Sequence, residues 1–286
     1  MAARYAWVLN LDADLELAHG EGYTPKANVA RATAAFAEQL RELLLSPHDV
    51  VVDTNSREGA ARGFIGRAFC PTPRAIATLV RVGAEPEAHP SFELLRRVAS
   101  RAFAASVGQT MPKAAFVKTL AEAREILRAD PSPGSGWRIK RAWGMAGRGH
   151  RVVDRDPRDE DVAFLSKWID EAGVQIEPNV RVVQEWALHG LVANGDVKLG
   201  TLTEQTTDAS GAWIATKLVQ NAPPEIAGAI AHEAERAGRA LANAGYFGPF
   251  NVDAFAYEDD GRVVVRARSE INARYSMGFG VGFGRM

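Results

Sequence analysis

The run Glu270-Ile271-Asn272-Ala273-Arg274 decides how the rest of the chain is read. It places a carboxylate, a carboxamide and a guanidinium at i, i+2 and i+4, and at strand spacing those three side chains share one face. The residues before it, 262–268 (RVVVRAR), are rich in β-branched side chains and predict a strand. Hard oxygen donors suit Mg²⁺, and an adjacent Arg suits the phosphates that such an ion carries. Taken alone, the same spacing also fits an edge strand with a solvated polar face. The remaining sequence has to choose between the two.

With 286 residues, 47% of them hydrophobic, the chain can fill one large core or two to three small ones. Its net charge of −1 excludes a generic nucleic-acid or membrane-surface binder. Arg greatly outnumbers Lys, so each lysine in a strand or glycine-rich context stands out. Cys70 is the single cysteine, which excludes an intrachain disulfide framework and a Cys-rich metal site. The six histidines show no HxxxH-like ligand spacing. The apolar patch at 5–11 is too short for a signal peptide or membrane span, so the expectation is a soluble cytoplasmic protein.

Strands and helices alternate in the N-terminal third. Residues 7–11 and 48–53 read as strands, and 27–45 and 92–107 as helices, which favours an α/β layer structure. A second unit follows, with strands at 114–117, 137–142 and 151–153, helices at 120–129 and 159–172, and a glycine-rich loop at 143–149. From residue 180 the pattern becomes α+β. Strands are predicted at 180–186, 197–203 and 213–219, with Asn194-Gly195 as a hairpin turn. One long helix, 223–244, precedes two closing strands, 251–257 and 262–270, joined by the turn 258–261.

Three further segments carry chemistry. Lys140 lies late in a strand, before Gly144-Met-Ala-Gly147-Arg-Gly149. Glycines let backbone N–H groups approach phosphate, and a strand lysine can reach the same oxygens. The loop lacks the GK[ST] of a Walker A motif and the spacing of a Rossmann fingerprint. An ordinary hairpin loop remains the alternative. Gln184-Glu185-Trp186-Ala187 ends a strand beside a polar pair, where backbone could meet an adenine edge, or Trp186 could simply fill the core. Asp253 sits among apolar neighbours, and a hairpin closing at 258–261 would bring it against Glu270. Two carboxylates meeting there require a cation between them.

In this order (strand Lys, glycine hairpin, Q-E-W-A, G-P-F-N-V-D, E-x-N-x-R) the motifs resemble the ATP-grasp family over roughly residues 90–280. The resemblance implies a pre-ATP-grasp α/β domain at 1–90, a central subdomain at 91–180 and a C-terminal subdomain with the metal site at 181–286. It implies ATP and a pair of Mg²⁺ ions, with Mn²⁺ as a substitute. Lys140 would bind the α- and β-phosphates under the loop of Gly144, Gly147 and Gly149. Gln184, Glu185, Trp186 and Ala187 would form the adenine hinge, with Lys217 a further phosphate contact. Asp253, Glu270 and Asn272 would hold the metal, and Arg274 would stabilise the transferring phosphoryl group. Arg101 stands where the family usually has a first phosphate-binding Lys, keeping the charge but changing a point donor to a fork.

Two other departures from the family pattern are Asn251, where several ligases have an acceptor-binding Arg, and Leu191 or Val192, near the usual ribose residue, for which His189 is the candidate. The glycine-rich stretch 275–284 reads either as a substrate-binding loop or as a floppy terminus. The implied activity is an ADP-forming ligase that joins a carboxylate, possibly amino-acid-like, to an amine, with a homodimer as a possible assembly. A non-catalytic nucleotide-binding protein and an ATP-grasp kinase are the alternatives.

Overall fold

In the computed structural model, which describes residues 3–144, 149–154, 158–208 and 213–285, the chain forms three sheets in succession. The first contains β1 (Tyr5–Val8), β2 (Val50–Val51), β3 (Ile65–Ala68) and β4 (Glu85–Pro86), all parallel, in the order β2-β1-β3-β4. Helices α1 (Ala13–His19), α2 (Ala27–Leu44) and α3 (Pro73–Arg81) connect these strands. Strand alternation splits β1 between two cores: Ala6 and Val8 pack with Leu79 and Val82, whereas Trp7 joins the main core of the molecule. The strand predicted at 48–53 shrinks to two residues at the sheet edge, where Val51 is exposed. Helices α1 and α3 and strands β3 and β4 were not legible as separate elements.

Residues 92–107 form two helices, not one: α4 (Phe92–Val98) and α5 (Arg101–Ser106). The break is at Ser100, whose extended backbone and hydroxyl cap α5 by accepting from the Phe103 N–H. An Arg- and Ala-rich run has no periodicity error to betray such a cap. Its consequence is functional, because it sets Arg101 at the first turn of α5.

The second sheet, β5-β8-β6-β7, is antiparallel at each pairing. Its elements are β5 (Ala115–Val117), α6 (Leu120–Arg128), β6 (Trp137–Arg141), β7 (His150–Val153), α7 (Asp159–Ala172) and β8 (Val174–Pro178). A capping box, Thr119 with Glu122, starts α6. Strand β8 was missed because Gln175 and Glu177 look like surface residues, although every residue of the strand is buried.

The third sheet orders β9 (Val182–Ala193), β11 (Thr203–Thr207), β12 (Trp213–Leu218), β13 (Gly248–Asp259) and β14 (Arg262–Asn272) as β12-β11-β9-β13-β14, with β10 (Asp196–Leu199) paired to β9. The strand predicted at 197–203 is thus divided between β10 and β11. Asn194 and Gly195, and again Asp260 and Gly261, both adopt positive φ in two-residue turns, the backbone that matches hairpin twist. Helix α8 (Pro224–Asn243) covers one face and buries Ile230, Ala234, Ala237 and Leu241 against Trp186, Leu188, Val252 and Ile271. Each large side chain so buried stabilises the packing by about 1.5–3 kcal/mol.

The glycine-rich C-terminal stretch is neither a floppy terminus nor an open loop. It turns into a short helix, α9 (Phe279–Gly282), seated on α2 and β12. A Cβ on Gly280 would lie 2.0 Å from the Leu43 carbonyl oxygen, and one on Gly282 2.3 Å from the His189 ring. The glycines are there for close packing. Among the described residues no helix is long and apolar enough to cross a membrane.

Candidate active site

The uncovered face of the third sheet, the second sheet and the N-terminal helices enclose a cavity of about 750 Å³. The hairpin β13–β14 sets its floor, and its register places Asp253 directly opposite Glu270 and Asn251 opposite Asn272. Asp253 Oδ1 accepts from Asn251 Nδ2 at 2.7 Å and Gln205 Nε2 at 3.2 Å, and its Oδ2 accepts from Asn272 Nδ2 at 2.8 Å. Burial first, and then the charge of Glu270, push the Asp253 carboxyl up to about 7.

Glu270 is held quite differently. Its Oε1 lies 2.7 Å from Arg101 NH2 and 3.4 Å from Lys140 Nζ. Burial opposes ionisation, but the two cations outweigh it and keep this carboxyl well below the usual range. Arg101 is fixed by its own backbone N–H to the Ala142 carbonyl at 2.9 Å and by NH1 to the Arg141 carbonyl at 2.7 Å. Lys140 is braced from β8, with Glu177 Oε1 at 2.8 Å, while Glu177 Oε2 accepts from Arg266 at 2.8 Å. Burial would raise the Glu177 carboxyl, yet Lys140 and Arg266 hold it at about 2. Sequence reading missed Glu177 and Gln205. Both sit on strands, β8 and β11, whose polar residues read as surface in sequence, and their partners come from distant parts of the chain.

Arg274 reaches the cavity from just beyond β14. Its Nε and NH2 bind the two oxygens of Asp14 on α1 at 3.1 and 2.6 Å, and its NH2 lies 3.4 Å from Asn272 Oδ1. Asp253, Glu270, Asn272, Arg274, Lys140 and Arg101 therefore converge, together with Gly144, Gly149 and Glu185. Gly147 lies outside the described residues. Two buried atoms here have no hydrogen-bond partner among the described residues, Arg101 Nε and Asn251 Oδ1. Such atoms are uncommon and call for a partner, which at a cavity wall is water or a ligand atom.

Three expected contacts are not brought to the cavity. Gln184 is exposed and outside the cavity wall, and Ala187 is paired on both sides, to Asp253 and to Thr203, so its backbone has no edge to offer. Trp186 borders the cavity, but its side chain is buried in the main core beneath α8. Lys217 pairs in register with Glu204, on the face opposite Gln205, and its side chain is 69% exposed. Period-two alternation excludes it from the site. His189 is fully buried beneath the C-terminal stretch, with Nδ1 3.0 Å from Ser276 Oγ, and burial lowers it to about 4. The segment that does meet the cavity edge-on is the crossing from β8 to β9, through Pro178, Val180 and Val182.

At the level of sequence, no family model and no curated protein matches the chain. Solved structures do. D-cycloserine synthetase DcsG superposes with a TM-score of 0.57 over 98% of this chain and 95% of that one, at 13% identity. D-alanyl-alanine synthetase A from Vibrio cholerae O1 biovar eltor gives 0.54 over 99% and 92%, at 12% identity. N5-carboxyaminoimidazole synthetase from Staphylococcus aureus, complexed with ADP, gives 0.53 over 96% and 71%, at 14% identity. The chain shares the fold of these synthetases, the ATP-grasp fold.

Proposed function

We propose that the chain is an ATP- and Mg²⁺-dependent ligase that activates a carboxylate and passes it to an amine, releasing ADP and phosphate. The observation that carries this reading is the pairing of Arg101 and Lys140 with Glu270, itself opposite Asp253, in the wall of one cavity. A polyphosphate would take both cations from Glu270 and leave its carboxylate free for a metal ion. The ADP complex of the S. aureus synthetase, and the synthetase activities named for the other two relatives, support the same class.

The residues fit Mg²⁺. Asp253, Glu270, Asn272 and the unpartnered Asn251 Oδ1 are hard oxygen donors. Among the described residues no group of three or more His, Cys, Asp or Glu is placed to hold a metal ion by itself. That suits an ion bound through one or two carboxylates plus water and phosphate oxygens. When bound, Mg²⁺ neutralises charge on the β- and γ-phosphate oxygens. The chain's own cations do the rest. Lys140 and Arg101 hold the phosphates, and the 178–182 crossing offers an edge for adenine, with Glu185 beyond it for the ribose hydroxyls. A substrate carboxylate oxygen attacks the γ-phosphorus as its bond to the bridging oxygen breaks, a loose transfer in which positioning and charge neutralisation supply most of the catalysis.

The test is ADP release from Mg·ATP with a panel of carboxylates and hydroxylamine as the amine. Carboxylate-dependent hydroxamate with equal ADP is expected, and Glu270→Gln should lower it by roughly 10²-fold or more. AMP and pyrophosphate, or a stable phosphorylated alcohol, would overturn the reading.

A further inference from the structure

Glu270, bonded to Lys140, stands across the strand pair from Asp253, and from Asp253 hydrogen bonds run to Asn272, then Arg274, and end at Asp14. This last pair is an ion pair set into the cavity wall, with side chains only 15% and 12% exposed. The same cavity is lined by Leu11, Phe36, Phe69 and Met277, and the Arg274 guanidinium lies 5.2 Å from the centre of the Phe69 ring. Phe36, on α2, belongs to none of the core clusters of the described residues and is half-buried at the cavity.

We propose that this end receives an α-amino acid with an apolar or aromatic side chain, bound as its zwitterion. The ammonium sits at Asp14, the carboxylate at Arg274 and the side chain against Phe36, Leu11 and Met277. The reason is charge balance. A ligand bearing only a carboxylate would draw Arg274 away and leave Asp14 buried without a partner, and one bearing only an amine would do the reverse to Arg274. A zwitterion replaces both halves of the pair at once. This assignment rests on the ligase reading in one respect: Arg274 sets the bound carboxylate beside Asn272, where the γ-phosphate would lie. The carboxylate oxygen then bonds to the γ-phosphorus and ADP leaves with the electron pair of the broken P–O bond. An amine next adds to the carbonyl carbon and loses a proton to solvent, and phosphate departs with the C–O electron pair.

Calorimetry on the full chain loaded with Mg·ADP tests the assignment. The titrants are the two enantiomers of phenylalanine, leucine, alanine, 3-phenylpropanoate and 2-phenylethylamine. One phenylalanine enantiomer should bind at least about 10²-fold more tightly than either singly charged analogue. Asp14→Asn should collapse the preference for phenylalanine over 3-phenylpropanoate to roughly 10-fold or less. Phe36→Ala leaves the ion pair alone and should weaken phenylalanine about 10-fold while sparing alanine. Equal binding of 3-phenylpropanoate, or no binding of any amino acid, overturns the proposal even if the variants fail to fold. ADP release with hydroxylamine separates the two claims. Discrimination in binding without ADP release refutes the ligase and keeps the amino-acid site, whereas equal ADP release from phenylalanine and 3-phenylpropanoate refutes the site and keeps the ligase.

Discussion

Glu177→Gln probes the buried charge network on which the phosphate end depends. Glu177 is 3% exposed and gives one carboxylate oxygen to Lys140 and the other to Arg266, each at 2.8 Å. Glutamine keeps the volume and one acceptor but removes the charge, and its amide must then point N–H groups at a cation. Breaking a buried pair of this kind costs about 3–5 kcal/mol, and the retained acceptor argues for the lower end, about 3 kcal/mol. Lys140 would also turn from its lost partner toward Glu270, its other carboxylate neighbour, and release it less readily to phosphate. Mg·ATP affinity should fall by roughly 10-fold, equivalent to about 1.4 kcal/mol. Urea unfolding at neutral pH and calorimetric titration with a non-hydrolysable ATP analogue measure the two effects. Adding Arg266→Met to Glu177→Gln should recover about 1–3 kcal/mol, since the stranded cation is then gone. A loss of stability below about 1 kcal/mol together with unchanged nucleotide affinity would refute the reasoning.

Other consequences are quicker to check. Lys217→Ala should leave ADP release within about twofold of wild type, because the side chain projects from the far face, whereas Arg101→Ala should reduce it by roughly 10²-fold; equal losses in steady-state assays would contradict the placement. His189 ionises near 4 when folded against 6.5 ordinarily, so the unfolded chain binds more protons in that window and stability falls as pH drops from 6.5 toward 4. Between pH 6.5 and about pH 5 this amounts to about 2 kcal/mol, read as the part of the unfolding free energy change that His189→Gln removes. A variant with the same pH slope as wild type would exclude His189 as the source.

The C-terminal half was legible because its signals are local. Two-residue turns with Asn-Gly and Asp-Gly pin the hairpins, and a register shift between Asp253 and Phe255, which the sequence does not announce, then sets Asp253 opposite Glu270. The errors share a different cause. Glu177 and Gln175 look like surface residues in sequence and are buried only because their partners lie in other segments. The hinge expectation fell on 184–187, where polar residues and a tryptophan cluster, but Glu185, Trp186 and Ala187 are paired to strands on both sides and Gln184 is exposed outside the cavity wall. What makes an edge available is the crossing between sheets, a property of topology that no residue at 178–182 announces. Asp14 was equally silent, since its meaning depends on Arg274 at a sequence separation of 260.

The central claim is that a substrate carboxylate attacks the γ-phosphorus of ATP in this cavity. Turnover of a carboxylate labelled with ¹⁸O at both oxygens, followed by mass analysis of the inorganic phosphate, tests it most directly. One ¹⁸O in each phosphate released is expected, with ADP as the other product. Unlabelled phosphate, or label carried into AMP, would contradict it.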